Sequence, residues 1–348
     1  MLIFTNRVVL AGHGDESAFT AKFVPASDTL GMAEVARNGP AHWSLAGVTP
    51  AVSDAAAEAA LVRVFDGGRP VLVHIHGNSM APAQCFERCA RFEELFDVAV
   101  VGFSWPSEGR LPSGKRRKGV TGARAEAEDR WTLAVVDSTN FDAKGGAVAD
   151  VIARYRQSKR NGKSSAAALA RFLERVGKAH AGASTPQPFS IAAHSLGVHC
   201  LKMLLEAGLG ARLPVARNIA LLAACVPQRK HEKWIPKLPR SDGLMITTNI
   251  SDWVLLGALW ADKFQAKLGA SVPVPPLVVA PKTRYVDFSR RSFGEHEYFV
   301  AEQGATLEAD LLDVFKRFFR SADDIGGGSD PCTVYRRCCD DGLLVCMT

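Results

Sequence analysis

The feature that most constrains this chain is a set of short apolar runs separated by helical patterns. Val71–Ile75 (VLVHI), Val98–Trp105 (VAVVGFSW), Phe189–Ala193 (FSIAA), Ile219–Cys225 (IALLAAC), Leu244–Ile250 (LMITTNI) and Thr283–Phe288 (TRYVDF) read as strands. Most are apolar almost throughout, as strands covered on both faces must be. Between them, Leu169, Phe172, Leu173 and Val176 form one helical stripe within Ser164–Val176. Leu196–Ala207 reads as a helix that stops before Gly208. Leu307–Phe319 is a third, with Thr306 as its cap and Leu311, Phe315 and Phe318 among its apolar positions. Such alternation predicts an α/β fold, a mostly parallel central sheet with helices on both faces.

The chain has 348 residues, 47% of them hydrophobic, so one large domain over residues 1–320 can bury an ample core. Residues 106–145 are polar and glycine-containing and leave a strand at its carboxyl end, where such folds place ligand-binding loops. They read as an insertion or lid. Residues 321–348 follow Gly326-Gly327-Gly328 and read as a flexible, cysteine-containing tail. No apolar run reaches the ~18–20 residues of a membrane span. The opening MLIFTNRVVL, interrupted by Asn6 and Arg7, is not expected to act as a leader.

The formal charge of +6 is mild, and part of it sits in the run Lys115-Arg116-Arg117-Lys118. A short basic run is first a solvated loop, although it can also attract an anionic substrate. Without a base-reading motif or interleaved aromatics, nucleic acid is not an expected partner. Cys85-x3-Cys89 has no second pair nearby, and Cys332, Cys338, Cys339 and Cys346 match no zinc spacing, so no metal is expected. The cysteines suit a reducing, cytoplasmic setting. The sequence carries no signal for an oligomeric state.

The strongest chemical signal is Ala193-His194-Ser195-Leu196-Gly197, entered by a strand and left by a helix. A sharp strand-to-helix turn lifts a serine hydroxyl clear of the sheet, and the crowding demands small residues two before and two after it. Gly197 meets this demand and Ala193 nearly does. A capping serine is the alternative, and the flanking elements favour a nucleophile. The N–H after a nucleophile, here that of Leu196, is one oxyanion donor. A second is expected from Asn78 or Ser79, in the loop His76-Gly77-Asn78-Ser79 after an earlier strand. His76 reads first as a strand-end histidine bonded within its own loop. Together with Gly77, Trp105 and His194 it is placed around the substrate. His74 and His76 share a face, but no third ligand sits nearby to make a metal site.

Nucleophile, acid and then histidine is the chain order expected of such a sheet. His199 lies along the outgoing helix, and His231 lies in the basic stretch Arg229–Lys233, read as a solvated loop. His296, in a loop after the last strand, is therefore the expected base. Asp252 follows Leu244–Ile250 at a strand's carboxyl end and is the expected acid, a role compatible with capping the helix that begins at Trp253. Asp242 precedes that strand and falls on the wrong edge.

The ordered stretches VLVHIHGNS, VVGFSWPSEG, IAAHSLG, TNISDWVL and VDFS…HEYF resemble the α/β-hydrolase superfamily, and within it a bacterial group of largely uncharacterised serine hydrolases. The resemblance covers residues ~70 to ~320. It implies Ser195 as nucleophile, His296 as base and Asp252 as acid, and a small-molecule or lipid ester or thioester as substrate, with no cofactor. The rival expectation is a non-catalytic scaffold of the same fold that binds a partner.

Overall fold

The computed structural model describes residues 1–39, 42–116, 146–271, 280, 282–289, 292–301, 305–320, 334–337 and 344–347. An α/β architecture results, a large and mostly parallel central sheet flanked by helices. The expected strands appear as β6 (Val71–Ile75), β7 (Ala99–Ser104), β8 (Phe189–His194), β9 (Asn218–Leu222), β10 (Leu244–Thr248) and β11 (Arg284–Asp287). Ahead of them lie β1 (Leu2–Thr5), β2 (Arg7–Val9), β3 (Phe19–Phe23), β4 (Gly31–Arg37) and β5 (Trp43–Thr49). The helices are α1 (Asp54–Phe65), α2 (Pro82–Phe96), α3 (Gly146–Ser164), α4 (Ala166–Gly182), α5 (Leu196–Glu206), α6 (Trp253–Ala261) and α7 (Ala309–Arg320).

The main sheet runs β13-β12-β11-β10-β9-β8-β6-β7-β1-β4-β5, where β12 is Val334–Arg337 and β13 is Leu344–Met347. Pairing is parallel from β1 through β12 and antiparallel at the β4, β5 and β13 edges. Strands β6, β8, β9 and β10 are buried at every position, which is why their sequences lack a polar alternation. The chain passes from β6 to β7 on one side, then returns to place β8 on the other. That reversal puts a topological switch point at the carboxyl ends of β6 and β8, the position at which open α/β sheets bind ligands.

Each face of the sheet has its own aromatic packing. Phe4 and Phe103 stack on Phe172 of α4, with ring centroids 5.1 and 5.4 Å away. Phe92 and Phe96 of α2 meet Phe319 of α7 on the other.

Two expectations need adjustment. Val334–Arg337 and Leu344–Met347 lie in the segment read as a flexible tail, yet they pair as strands, β12 parallel to β11 and β13 antiparallel to β12. Short apolar and β-branched stretches beside an open strand edge can satisfy its unpaired backbone groups. His231, read as part of a solvated loop, is buried. Its Nδ1 meets the Gln228 carbonyl at 2.6 Å and its Nε2 meets Tyr285 Oη at 2.5 Å. Of the insertion, residues 106–110 pack on α3 through Asn161, which donates to the carbonyls of Pro106 and Arg110. Arg117, Lys118 and the rest of that insertion lie outside the described residues. Among the described residues no helix is long and apolar enough to cross a membrane.

Candidate active site

Ser195 stands between β8 and α5 with φ +52 and ψ −116, a conformation L-residues rarely adopt. Several contacts hold it there. Its N–H donates to the Leu222 carbonyl at 2.9 Å, and its carbonyl accepts from Val198 and Cys225, each at 3.2 Å. The turn is as crowded as the sequence implied. A Cβ on Gly197 would fall 2.4 Å from the Ile75 carbonyl oxygen, and one on Gly77 would fall 2.9 Å from Ser195 Cβ. The end of β6 therefore passes directly against the elbow. As the first residue of α5, Leu196 has an N–H without an intrahelical acceptor, as an oxyanion donor needs.

The two candidates for the second donor separate. The Ser79 N–H donates to the Ser107 carbonyl at 3.0 Å and is spent on the loop's own structure. Asn78, one residue closer to the elbow, remains the candidate for the second donor.

At the ends of β10 and β11 the acid and base come together. Asp252 caps α6 by accepting the Leu255 N–H at Oδ1 (2.9 Å), while its Oδ2 accepts from His296 Nδ1 at 2.6 Å. Capping and orienting thus use different oxygens of one carboxylate. With Nδ1 protonated toward Asp252, His296 keeps its lone pair on Nε2. Burial alone would lower the His296 pKa. The adjoining Asp252 carboxylate outweighs it and holds the imidazole above its ordinary value. His194, the residue before Ser195, packs its ring 4.7 Å from that of His296 and so brings the elbow and the base side by side. Among the described residues no hydrogen bond joins Ser195 Oγ to His296.

Three comparisons with known proteins, against family models, curated proteins and solved structures, return no match.

The four residues placed around the substrate divide. Gly77 lies against Ser195. His194 is buried on Phe299 and His296, and neither of its ring nitrogens has a hydrogen-bond partner among the described residues. Burial holds it neutral, its pKa well below the usual value. His76 and Trp105 are braces instead. The Trp105 backbone N–H donates to His76 Nε2 at 3.0 Å, its indole N–H donates to the His76 carbonyl at 2.8 Å, and the rings stack. His76 must then carry its proton on Nδ1, 2.9 Å from the Gly77 carbonyl. Both residues are fully buried, and burial pushes the His76 pKa down to about 3. They lock the ends of β6 and β7 rather than facing substrate.

Some supporting residues gave no local signal in the sequence. Arg7, buried, pairs with Glu108 through two hydrogen bonds of 2.7 and 2.8 Å and also donates to the carbonyls of Met80 and Trp105. It thereby clamps the Asn78 loop to the loop after β7. Asn249 donates to the carbonyls of Ser292 and Glu295, at 2.6 and 2.9 Å, and holds the His296 loop beside Asp252. Arg88 of α2 pairs with Glu297 and anchors the same loop from the other side. Gly294 has φ +77, and a Cβ there would fall 2.4 Å from Trp253 Nε1, so only glycine suits this turn.

Proposed function

We propose that the protein is a serine hydrolase of α/β-hydrolase type, acting on a carboxylic ester or thioester. The observation that carries this reading is the charge-stabilised His296–Asp252 pair beside a serine held at positive φ, at the sheet's switch point. A capping serine needs neither the strained backbone nor the neighbouring pair.

The mechanism follows from the placement of each group. Ser195 Oγ attacks the acyl carbon while His296 Nε2 takes its proton. Asp252 stabilises the resulting imidazolium and fixes its tautomer without taking a proton itself. The carbonyl oxygen becomes an oxyanion held by the N–H groups of Leu196 and Asn78. Collapse breaks the bond to the alcohol or thiol, and His296 Nε2 returns the proton to that leaving group. Water then attacks the acyl-serine, giving one proton to His296, and the acid departs as Ser195 is reprotonated.

A fluorophosphonate probe tests the assignment, together with a chain-length series of nitrophenyl esters. Labelling of the wild type, lost in Ser195→Ala, and turnover of at least one ester are expected. A folded protein that neither labels nor turns over esters would instead support the scaffold reading.

A further inference from the structure

The helix capped by Asp252 carries an unusual outer face. Residues Trp253–Ala261 (WVLLGALWA) include no charged side chain. Leu256, Trp260 and Phe264, spaced by four, stand 45%, 61% and 63% exposed. They form one apolar stripe along α6 and just past its end. Trp260 and Phe264 pack ring to ring at 4.7 Å. At the other end of the helix, beside Asp252 and His296, Ile250 and Phe293 are 73% and 78% exposed. The stripe thus begins at the candidate catalytic pair and runs away from it.

Where the apolar stripe ends, a basic one begins. Arg156 of α3 donates to the carbonyl of Ala261, the last residue of α6. Arg156, Arg160 and Lys163 are all exposed and lie at i, i+4 and i+7, so they share one face of α3. Arg160 donates to Gln157 Oε1 rather than to a carboxylate. Lys263, also exposed, sits between Trp260 and Phe264 in sequence. The carboxylate at this junction, Asp262, is already bound by Lys159, Lys267 and Tyr155. The surface therefore offers aromatic and aliphatic groups flanked by cations.

We propose that the outward faces of α6 and α3 form one docking surface for an anionic lipid bilayer. Exposed tryptophan and phenylalanine suit the boundary between headgroups and acyl chains, and basic side chains beside them suit anionic headgroups. A second copy of the chain fits less well. Twofold pairing over the stripe would gather the basic residues of both copies at one rim, with no carboxylate in either stripe to answer them. Docked this way, the chain would hold Asp252 and His296 at the lipid surface. That consequence for substrate rests on the hydrolase reading; the docking itself does not.

The test is co-sedimentation of the full-length protein with vesicles of phosphatidylcholine alone and of phosphatidylcholine mixed with phosphatidylglycerol. Binding to the mixed vesicles, weakening as salt rises, is expected. Trp260→Ser with Phe264→Ser should lower the partition coefficient about tenfold or more. Arg160→Gln, Lys163→Gln and Lys263→Gln together should lower it about 10²-fold, at roughly fivefold per charge. Unchanged melting temperatures would show that both variants remain folded. The proposal is overturned if wild-type protein ignores the mixed vesicles, if neither variant weakens binding, or if the aromatic variant instead abolishes a concentration-dependent dimer. Sedimentation needs no turnover, so an inactive protein that binds would remove only the hydrolase reading, and an active one that does not bind only this one.

Discussion

His76 and His296 are both histidines at the carboxyl edge of the same sheet, in regions with opposite chemistry. Around His76, both ring nitrogens and the carbonyl are met by neutral partners: the Trp105 N–H, the Gly77 carbonyl and the Trp105 indole. Burial there forbids a charge, and the pKa sinks to about 3. Around His296, which is less buried, one ring nitrogen meets a carboxylate, which outweighs the effect of burial and raises the pKa. A buried histidine becomes a working base when its partner can carry the opposite charge, and a rigid brace when its partners are dipoles.

The largest expected effect lies on the His296 side. Ser195→Ala should reduce kcat/KM by about 10³-fold or more, with folding preserved, because on the proposed hydrolase reading it removes the atom that bonds to substrate. Near-normal turnover by a folded variant would detach the His296 pair from the serine.

Asp252→Asn should follow, with a loss of about 10²–10⁴-fold, since it removes the charge that orients and stabilises the imidazolium. It should also change the pH profile in a defined direction. His296 acts as a base only when neutral, so activity rises with pH through its raised pKa. Removing the Asp252 charge leaves burial, which lowers that pKa, so the acidic limb should move to lower pH. Asp242→Asn should do neither, because Asp242 sits ahead of β10 and interacts at 3.6 Å with Arg217. Similar mild effects of both substitutions would place the acid elsewhere.

On the His76 side, losses should appear in stability. Arg7→Met strands Glu108 and frees the loops after β6 and β7, costing up to about 3–5 kcal/mol. Its kcat should fall as well, because the Asn78 N–H loses its fixed position. Arg7→Lys should restore charge but not the fork of contacts, giving an intermediate result. Urea titrations with parallel ester kinetics check this, and a stable variant with altered kcat alone would make Arg7 part of the chemistry rather than its frame.

His76→Gln should cost about 1–3 kcal/mol at pH 7, the price of leaving buried partners unmet. The pH dependence sharpens the contrast with His296. Above pH 6.5 the His76 ring is neutral whether folded or unfolded and contributes no linkage. Below it, the unfolded chain takes up a proton that the folded site refuses down to about pH 3, so stability falls by up to about 1.4 kcal/mol per pH unit. His74 and His194, also buried and depressed, act in the same direction. The raised pKa of His296 acts oppositely: its stabilisation is complete below the unfolded value and is lost as pH rises through the folded one. His76→Gln should flatten the acid-side fall, and an unchanged slope would assign that slope to the other histidines.

These two regions were not equally legible in the sequence. Ser195 directly follows an apolar strand, Asp252 lies four residues past another, and His296 lies in the loop after the last, so strand pattern and chain order pointed to these candidates. The expectation that His76 bonds within its own loop agrees with its contact to the Gly77 carbonyl, while its place around the substrate is taken up by its contacts with Trp105. Arg7 was taken only as an interruption of an apolar stretch. Its partners Met80, Trp105 and Glu108 lie 73 to 101 positions away, and no local pattern reports such contacts. Asn249 was hidden for the same reason, bridging 43 and 46 positions to hold the His296 loop. Strand ends reveal what the sheet presents, while the clamps beneath them depend on tertiary pairing.

The smallest effect is expected farthest from both histidines. The strands β12 and β13 extend the sheet beyond β11, and they belong to neither the switch point between β6 and β8 nor the Asp252–His296 pair. Deleting residues 326–348 removes backbone pairing from one edge and leaves the buried strands β6, β8, β9 and β10 covered as before. Ester hydrolysis should be unchanged, and the melting temperature should fall by only a few degrees, in line with a loss of about 1 kcal/mol or less. The truncated chain then presents β11 as an open edge, with unpaired N–H and C=O groups able to pair with another chain. Size-exclusion chromatography at increasing concentration should therefore show more self-association than in the full-length protein. Loss of turnover by a monomeric, folded truncation would tie the tail to the site and extend the His296 region across the whole edge of the sheet.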